Sequence, residues 1–104
     1  MARVGIRLEI TEGQSFRHTY TFRNAVGEAY DPTTVTYKVL EPDGVLTTYT
    51  YGVGAFITKS STGVYYVQVN ADKHGHWTSR WAGTATGYAD ADEAVVNVVP
   101  SGVV

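Results

Sequence analysis

The chain has 104 residues, the size of one ordinary domain and too short for two independent cores. It holds no cysteine, which excludes a disulfide framework and thiolate metal sites while leaving the redox compartment open. Its 8 basic and 10 acidic side chains give a formal charge of −2 and are scattered singly, so no basic stripe is present to neutralise nucleic-acid phosphates.

Residues 2–10 place Val4, Ile6, Leu8 and Ile10 on one side and Gly5, Arg7 and Glu9 on the other, the two-residue period of a strand. That alternation breaks the apolar run a signal peptide needs, and no stretch approaches the roughly 18 apolar residues of a membrane span. The expectation is a soluble chain made in the cytoplasm, with no membrane contact. Residues 11–14 read as a turn. Residues 15–23 alternate again, with Phe16, His18, Tyr20 and Phe22 on the inner face and Arg17, Thr19, Thr21 and Arg23 opposite.

Residues 24–32 carry Gly27, Asp31 and Pro32 without periodicity and read as a loop. Residues 33–40 resume a strand with Val35, Tyr37 and Val39 inward. Glu41-Pro42-Asp43-Gly44 is the clearest local signal: Pro42 pre-sets φ for the second position of a type I turn, and Gly44 takes the left-handed position after it. The flanking segments should pair as a hairpin.

Residues 45–51 mix Thr47, Thr48 and Thr50 with Tyr49 and Tyr51 and read as a strand exposed on one face. Gly52-Val53-Gly54 interrupts it. Residues 55–59 form a short strand, 60–63 a tight turn, and 64–70 a strand with Tyr65, Val67 and Val69 on one side. Residues 71–75 turn the chain into 76–82, where Trp77, Ser79 and Trp81 share a face opposite His76, Thr78 and Arg80. Residues 83–93 are small and acidic and read as a mobile loop; 94–100 form the last strand and 101–104 a tail.

Seven or eight short strands, turn signals at intervals of about ten residues and no helical period predict a single all-β domain over 1–104. The architecture expected is an antiparallel β-sandwich, immunoglobulin-like or fibronectin III-like. Phe16, Tyr20, Phe22, Tyr37, Tyr65, Trp77 and Trp81 are its candidate core anchors, each tryptophan worth about 3–5 kcal/mol against truncation if buried.

Little in the sequence carries chemistry. His74 and His76 lie two apart but flank Gly75 in a turn, and zinc needs at least three protein ligands. Asp90, Asp92 and Glu93 lack the fixed ligand positions and central glycine of a calcium loop. There is no nucleophile elbow, no histidine near an orienting acid in sequence, and no phosphate-cradling continuation after Gly54. The reading is therefore non-enzymatic, with no catalytic, cofactor or metal residue. Tyr49, Tyr51, Tyr66 and Tyr88 fall at outward positions, where tyrosine serves either an interface or ordinary cross-strand pairing.

Glu12-Gly13 before an alternating strand, Tyr30-Asp31-Pro32-Thr33-Thr34-Val35, Leu40-Glu41-Pro42-Asp43-Gly44, Ser61-Thr62-Gly63-Val64-Tyr65, Gly75-His76-Trp77, Arg80-Trp81 and Gly83 together mark residues 10–100. This pattern resembles small Ig-like β-sandwich structural proteins of tailed bacteriophages; similar turns and anchors occur in bacterial surface and secreted Ig-like modules. The resemblance implies a virion component made in the host cytoplasm: a head decoration or accessory protein, a neck piece or a tail-associated module. A methionine start, a short tail and no flanking repeat favour the phage reading.

Two functions follow as expectations. In the first, a structural virion protein binds capsid, neck or tail proteins, with homo-oligomerisation as a further option and the termini 1–3 and 101–104 as candidate extensions. In the second, a module binds carbohydrate or a host-surface ligand by stacking it on Trp77, Trp81 or the outward tyrosines; this requires exposed aromatics.

Overall fold

Where β-branched and aromatic residues alternate with polar ones, the chain forms strands, because such side chains pack well on a pleated surface with one face buried. In the computed structural model, residues 4–85 and 88–101 are described, apart from the side chains of 4–7 and 88. Eight strands run in chain order: β1 (Val4–Thr11), β2 (Ser15–Thr21), β3 (Thr34–Leu40), β4 (Leu46–Thr50), β5 (Thr58–Ser61), β6 (Val64–Asn70), β7 (Gly75–Ala85) and β8 (Tyr88–Val99). Among the described residues there is no helix, and so none long and apolar enough to cross a membrane.

The strands make two sheets, one of five in the order β1-β8-β7-β3-β4 and one of three in the order β2-β6-β5. They pack face to face around one core that takes Phe16, Phe22, Val35, Tyr37, Val39, Tyr65, Val67, Trp77, Trp81, Val96 and Val98 from both sheets. Alternation is strict on β3, where Val35, Tyr37 and Val39 are buried, and on β6, where Tyr65, Val67 and Val69 are. Because the second sheet is narrower, the margins of the first are less well covered. Leu8 on β1 stays 41% exposed although it pairs with the buried Val96.

Several connections are held by backbone and carboxylate bonds. The β1–β2 turn is stitched to the end of β6 by Gly13 N–H donating to Ala71 O and Ala71 N–H to Gln14 O. Asp31, in the loop after β2, accepts from Gly63 N–H at 2.8 Å, Lys59 Nζ at 2.8 Å and Tyr65 O–H at 3.2 Å, tying that loop to the β5–β6 turn. Gly63 there has φ +75°, and a Cβ on it would lie 2.9 Å from the backbone N and O of Tyr30, so two independent constraints demand glycine.

The structure corrects the sequence reading in four places. Residues 83–93 are not a mobile loop: their described part forms the ends of β7 and β8, whose ladder runs from Gly75↔Val98 to Ala85↔Tyr88. Alanine, glycine and aspartate are poor strand formers locally, but β7 supplies a continuous partner and the core face supplies donors for the two aspartates, so tertiary context overrides propensity. The first strand runs parallel to β8 rather than antiparallel, so the sandwich is not purely antiparallel. The short strand of 55–59 is displaced to Thr58–Ser61, with Ile57 ahead of it buried in the core. Finally, β2 ends at Thr21: Phe22 N–H still donates in register to Gly63 O, but Phe22 O accepts from Tyr30 N–H and Gly63 N–H donates to Asp31, so the exchange stops there. The expectations for residues 1–3 and 102–104 lie outside the described residues.

Candidate interaction surface

Two polar side chains, His18 and Ser79, are buried among the described residues. His18, 1% exposed, stands on β2 facing Asp92 on β8, with Nε2 at 3.1 Å from the carboxylate Oδ2. Its Nδ1 lies 3.1 Å from Tyr37 Oη and 3.4 Å from Ser79 Oγ. One tautomer fits these contacts: a neutral ring donating from Nε2–H to Asp92 and accepting at its single Nδ1 lone pair from the nearer Tyr37 O–H, with the Ser79 hydroxyl bonded to that of Tyr37. Burial lowers the His18 pKa and outweighs the opposing pull of Asp92, in keeping with that neutral ring. Burial likewise pushes the Tyr37 hydroxyl pKa upward, so it remains a donor.

Serine, histidine and aspartate are the side-chain types of a hydrolase triad, but here Ser79 is only 2% exposed and His18 is wedged edge-on between Tyr37 and Trp81, with ring centroids 5.5 and 6.0 Å away. A nucleophile must reach its substrate, whereas this trio links β2, β7 and β8 across the core. Beside it, Tyr20 O–H donates to both oxygens of Asp90 at 2.8 Å. The register turns Asp90 and Asp92 inward, while Glu93 faces out to Arg80 at 3.1 Å, so the three carboxylates do not converge on one cation. No group of three or more metal-ligating side chains occurs among the described residues. His74 and His76 are both exposed, and His74 Nδ1 lies 3.7 Å from Glu12.

The aromatic residues divide sharply. Phe16, Phe22, Tyr37, Tyr65, Trp77 and Trp81 are buried, Trp81 completely, and Tyr20 is half-buried against them. Trp77 Nε1–H donates to Lys73 O at 2.9 Å, while Trp81 Nε1 has no hydrogen-bond partner among the described residues. The three of the outward-placed tyrosines whose side chains are described do not form one patch. Tyr49 pairs with Tyr37 and so lies on the core-facing side of β4, stacked on Phe56 at 3.8 Å. In a segment where threonine and tyrosine occupy both phases, alternation gives no warning of this. Tyr66 is half-buried, with the Arg17 guanidinium 4.3 Å over its ring, Tyr51 is exposed after β4, and the side chain of Tyr88 lies outside the described residues.

A different feature collects at the β3–β4 end of the larger sheet. Of the seven exposed large apolar residues among the described side chains, five fall between residues 40 and 53: Leu40, Val45 and Leu46 stand at the β3–β4 turn, while Tyr51 and Val53 follow the far end of β4, with the Tyr51 ring 5.2 Å from that of Tyr65. Sequence reasoning did not find this cluster, because singly spaced leucines and valines in a strand ordinarily point inward. The four edge strands also differ. β1 carries Arg7 and Glu9, β2 carries Arg17 and β5 carries Lys59, whereas β4, Leu-Thr-Thr-Tyr-Thr, carries no charge. Charges on edge strands guard against pairing with other chains, and β4 lacks that guard. A cleft of about 250 Å³ opens beside Val39, Tyr49, Phe56 and Trp77, with Glu41 and Asp72 in its lining, below the usual size of a small-molecule site.

No protein-family model matches this chain, and no curated protein matches it in sequence.

Proposed function

We propose that this chain is a non-enzymatic interaction module of immunoglobulin type, serving as a structural protein of a tailed-phage virion that binds other virion proteins. The observation that carries the interaction reading is the exposed group of Leu40, Val45 and Leu46 at the β3–β4 turn, beside an unguarded strand edge. The buried His18–Asp92–Ser79 trio and the divided carboxylates support the non-enzymatic part. Strand order supports the immunoglobulin part: β8, β7 and β3 correspond to strands G, F and C, β4 to an added C′ strand, and β2, β6 and β5 to B, E and D. The virion placement, with synthesis in the host cytoplasm, rests on the resemblance of the turn and anchor residues.

Binding of carbohydrate is the weaker reading. Sugars stack on flat aromatic faces, yet Trp77 and Trp81 are 3% and 0% exposed, and the outward cluster is mostly aliphatic. Aliphatic side chains suit a dry contact with another protein. The test is co-sedimentation: the tagged chain, produced in cells assembling the particle, should band with particles in a density gradient. The Val45→Asp/Leu46→Asp variant should remain at the top of the gradient. Failure of the folded wild-type chain to band with particles would refute the virion assignment.

A further inference from the structure

We infer that the free edge of β4 pairs with β4 of a second copy of this chain, antiparallel about a two-fold axis at Thr48, joining two five-stranded sheets into one of ten. The inference rests on the interaction reading above and names one partner for its surface. Its first support is the direction of the backbone groups. Glu41 N–H donates to Val45 O, and Tyr51 N–H donates to Val35 O. In the β3–β4 register, with Tyr37↔Tyr49 and Val39↔Thr47 between them, these bonds place Thr47 and Tyr49 in the hydrogen-bonded pairs. Leu46, Thr48 and Thr50 therefore turn their N–H and C=O groups away from β3, toward the open edge; Thr50 O accepts there from Val53 N–H at 3.1 Å and keeps its second lone pair for a partner strand. Backbone groups aimed at an open edge are the template for strand addition.

The second support is charge. Residues 45–58 contain no acidic or basic side chain. Pairing β4 with β1, β2 or β5 of another copy would bring Arg7 and Glu9, Arg17 or Lys59 against a neutral strand that offers no counter-charge. Pairing β4 with itself brings together only neutral residues. Centred on Thr48, it sets Thr48 opposite its own copy and Thr47 opposite Tyr49, both favourable types of cross-strand pair, and Leu46 opposite Thr50, with no charge in any pair. The nearest charge on the outer face, Lys38, lies on β3 beside Thr48, so the two copies of it stand about three strand spacings, roughly 14 Å, apart and are largely screened. A two-fold contact of this kind closes on itself, so it yields a dimer rather than a filament.

Five residues of strand make a small interface, so the equilibrium belongs in the weak, roughly micromolar to millimolar range. Sedimentation velocity of the purified full chain across that range should show reversible monomer–dimer exchange. Thr48→Pro removes only an outward N–H, and Thr48→Lys sets like charges face to face; each should raise the dissociation constant at least about tenfold while leaving the melting curve of the dilute chain in place. Thr19→Lys, on the guarded edge of β2, should change nothing. A nitroxide attached through Thr48→Cys should show dipolar broadening in the associated state, since directly opposed Cα atoms lie about 5.5 Å apart, and one attached through Thr19→Cys should not. A chain that stays monomeric throughout, association untouched by Thr48→Pro, or unbroadened labels at 48 would each overturn the inference. Banding with particles by a chain that remains monomeric would overturn this pairing and leave the virion reading standing.

Discussion

Gly83 is a point where the two sheets meet with no room to spare, and replacing it with alanine sets packing against backbone propensity. It lies on β7 between Val35 and Asp90, and its φ is not positive, so a methyl group adds no backbone strain. By narrowing the unfolded ensemble, the substitution would by itself stabilise the chain by about 0.4–1 kcal/mol. Against this, the new Cβ would lie 2.7 Å from Cδ1 and Cε1 of Phe22 and 2.7 Å from Cγ of Pro32. Phe22 is fully buried, held edge-on by Tyr20, Tyr65 and Trp81 at 4.9, 5.6 and 6.1 Å, and the Pro32 ring is rigid and buried. Neither neighbour can retreat.

Overpacking of this sort costs about 1–3 kcal/mol, so the net loss should be about 1–2 kcal/mol. In a domain of this size that lowers Tm by about 5–15 °C, and the urea midpoint should fall with an unchanged slope. In a Phe22→Leu background the shorter side chain vacates the contact, so Gly83→Ala should cost about 1 kcal/mol less there, measured as the coupling in a double-mutant cycle. A Gly83→Ala chain as stable as wild type, or a coupling of zero, would refute the idea that this contact is tight.

Three further outcomes follow from the buried polar groups and the indoles. The unfolded His18 imidazole titrates near 6.5 and the buried one lower, so the unfolded chain binds more protons between those values; stability should be full above about pH 6.5 and decline below it. His18→Gln should flatten that decline in urea midpoints measured from pH 7 to 5, and an unchanged profile would show that the ring is not held neutral. Asp31→Ala, which orphans Gly63 N–H and the Tyr65 hydroxyl, should cost about 1–3 kcal/mol, and Asp31→Asn less. Because Lys59 and Gly63 N–H hold the Asp31 carboxyl below its ordinary 3.8, its contribution is present above that pH and should fade as acid is added. Iodide should quench the tryptophan fluorescence of the folded chain weakly and that of the urea-unfolded chain strongly; efficient quenching in the folded state would restore the sugar-stacking reading.

The all-β class, and which residues point inward on β2, β3, β6 and most of β7, were legible because a two-residue period allows only two phases and the apolar set chooses between them. Phe16 and His18, Val35 and Tyr37, Tyr65 and Val67, Trp77 and Trp81 could be assigned to one face without knowing what lay opposite. Glu41-Pro42-Asp43-Gly44 likewise marked its hairpin, because turn chemistry is local.

Alternation states which face a residue takes, but not which strand lies beside it or which side chain waits across the core. Asp92 is 74 residues from His18, and its alanine-rich surroundings argued for a loop until β7 provided a ladder and His18 a donor. The parallel placement of β1 beside β8, the inward phase of Tyr49 and the uncharged free edge of β4 depend in the same way on sheet order, which local propensity does not encode. Sequence thus determined the β-strand class and an aromatic interior, through short-range sterics and periodicity. Tertiary structure alone decided how the acids were spent and which surface was left open, because both depend on contacts between residues far apart in the chain.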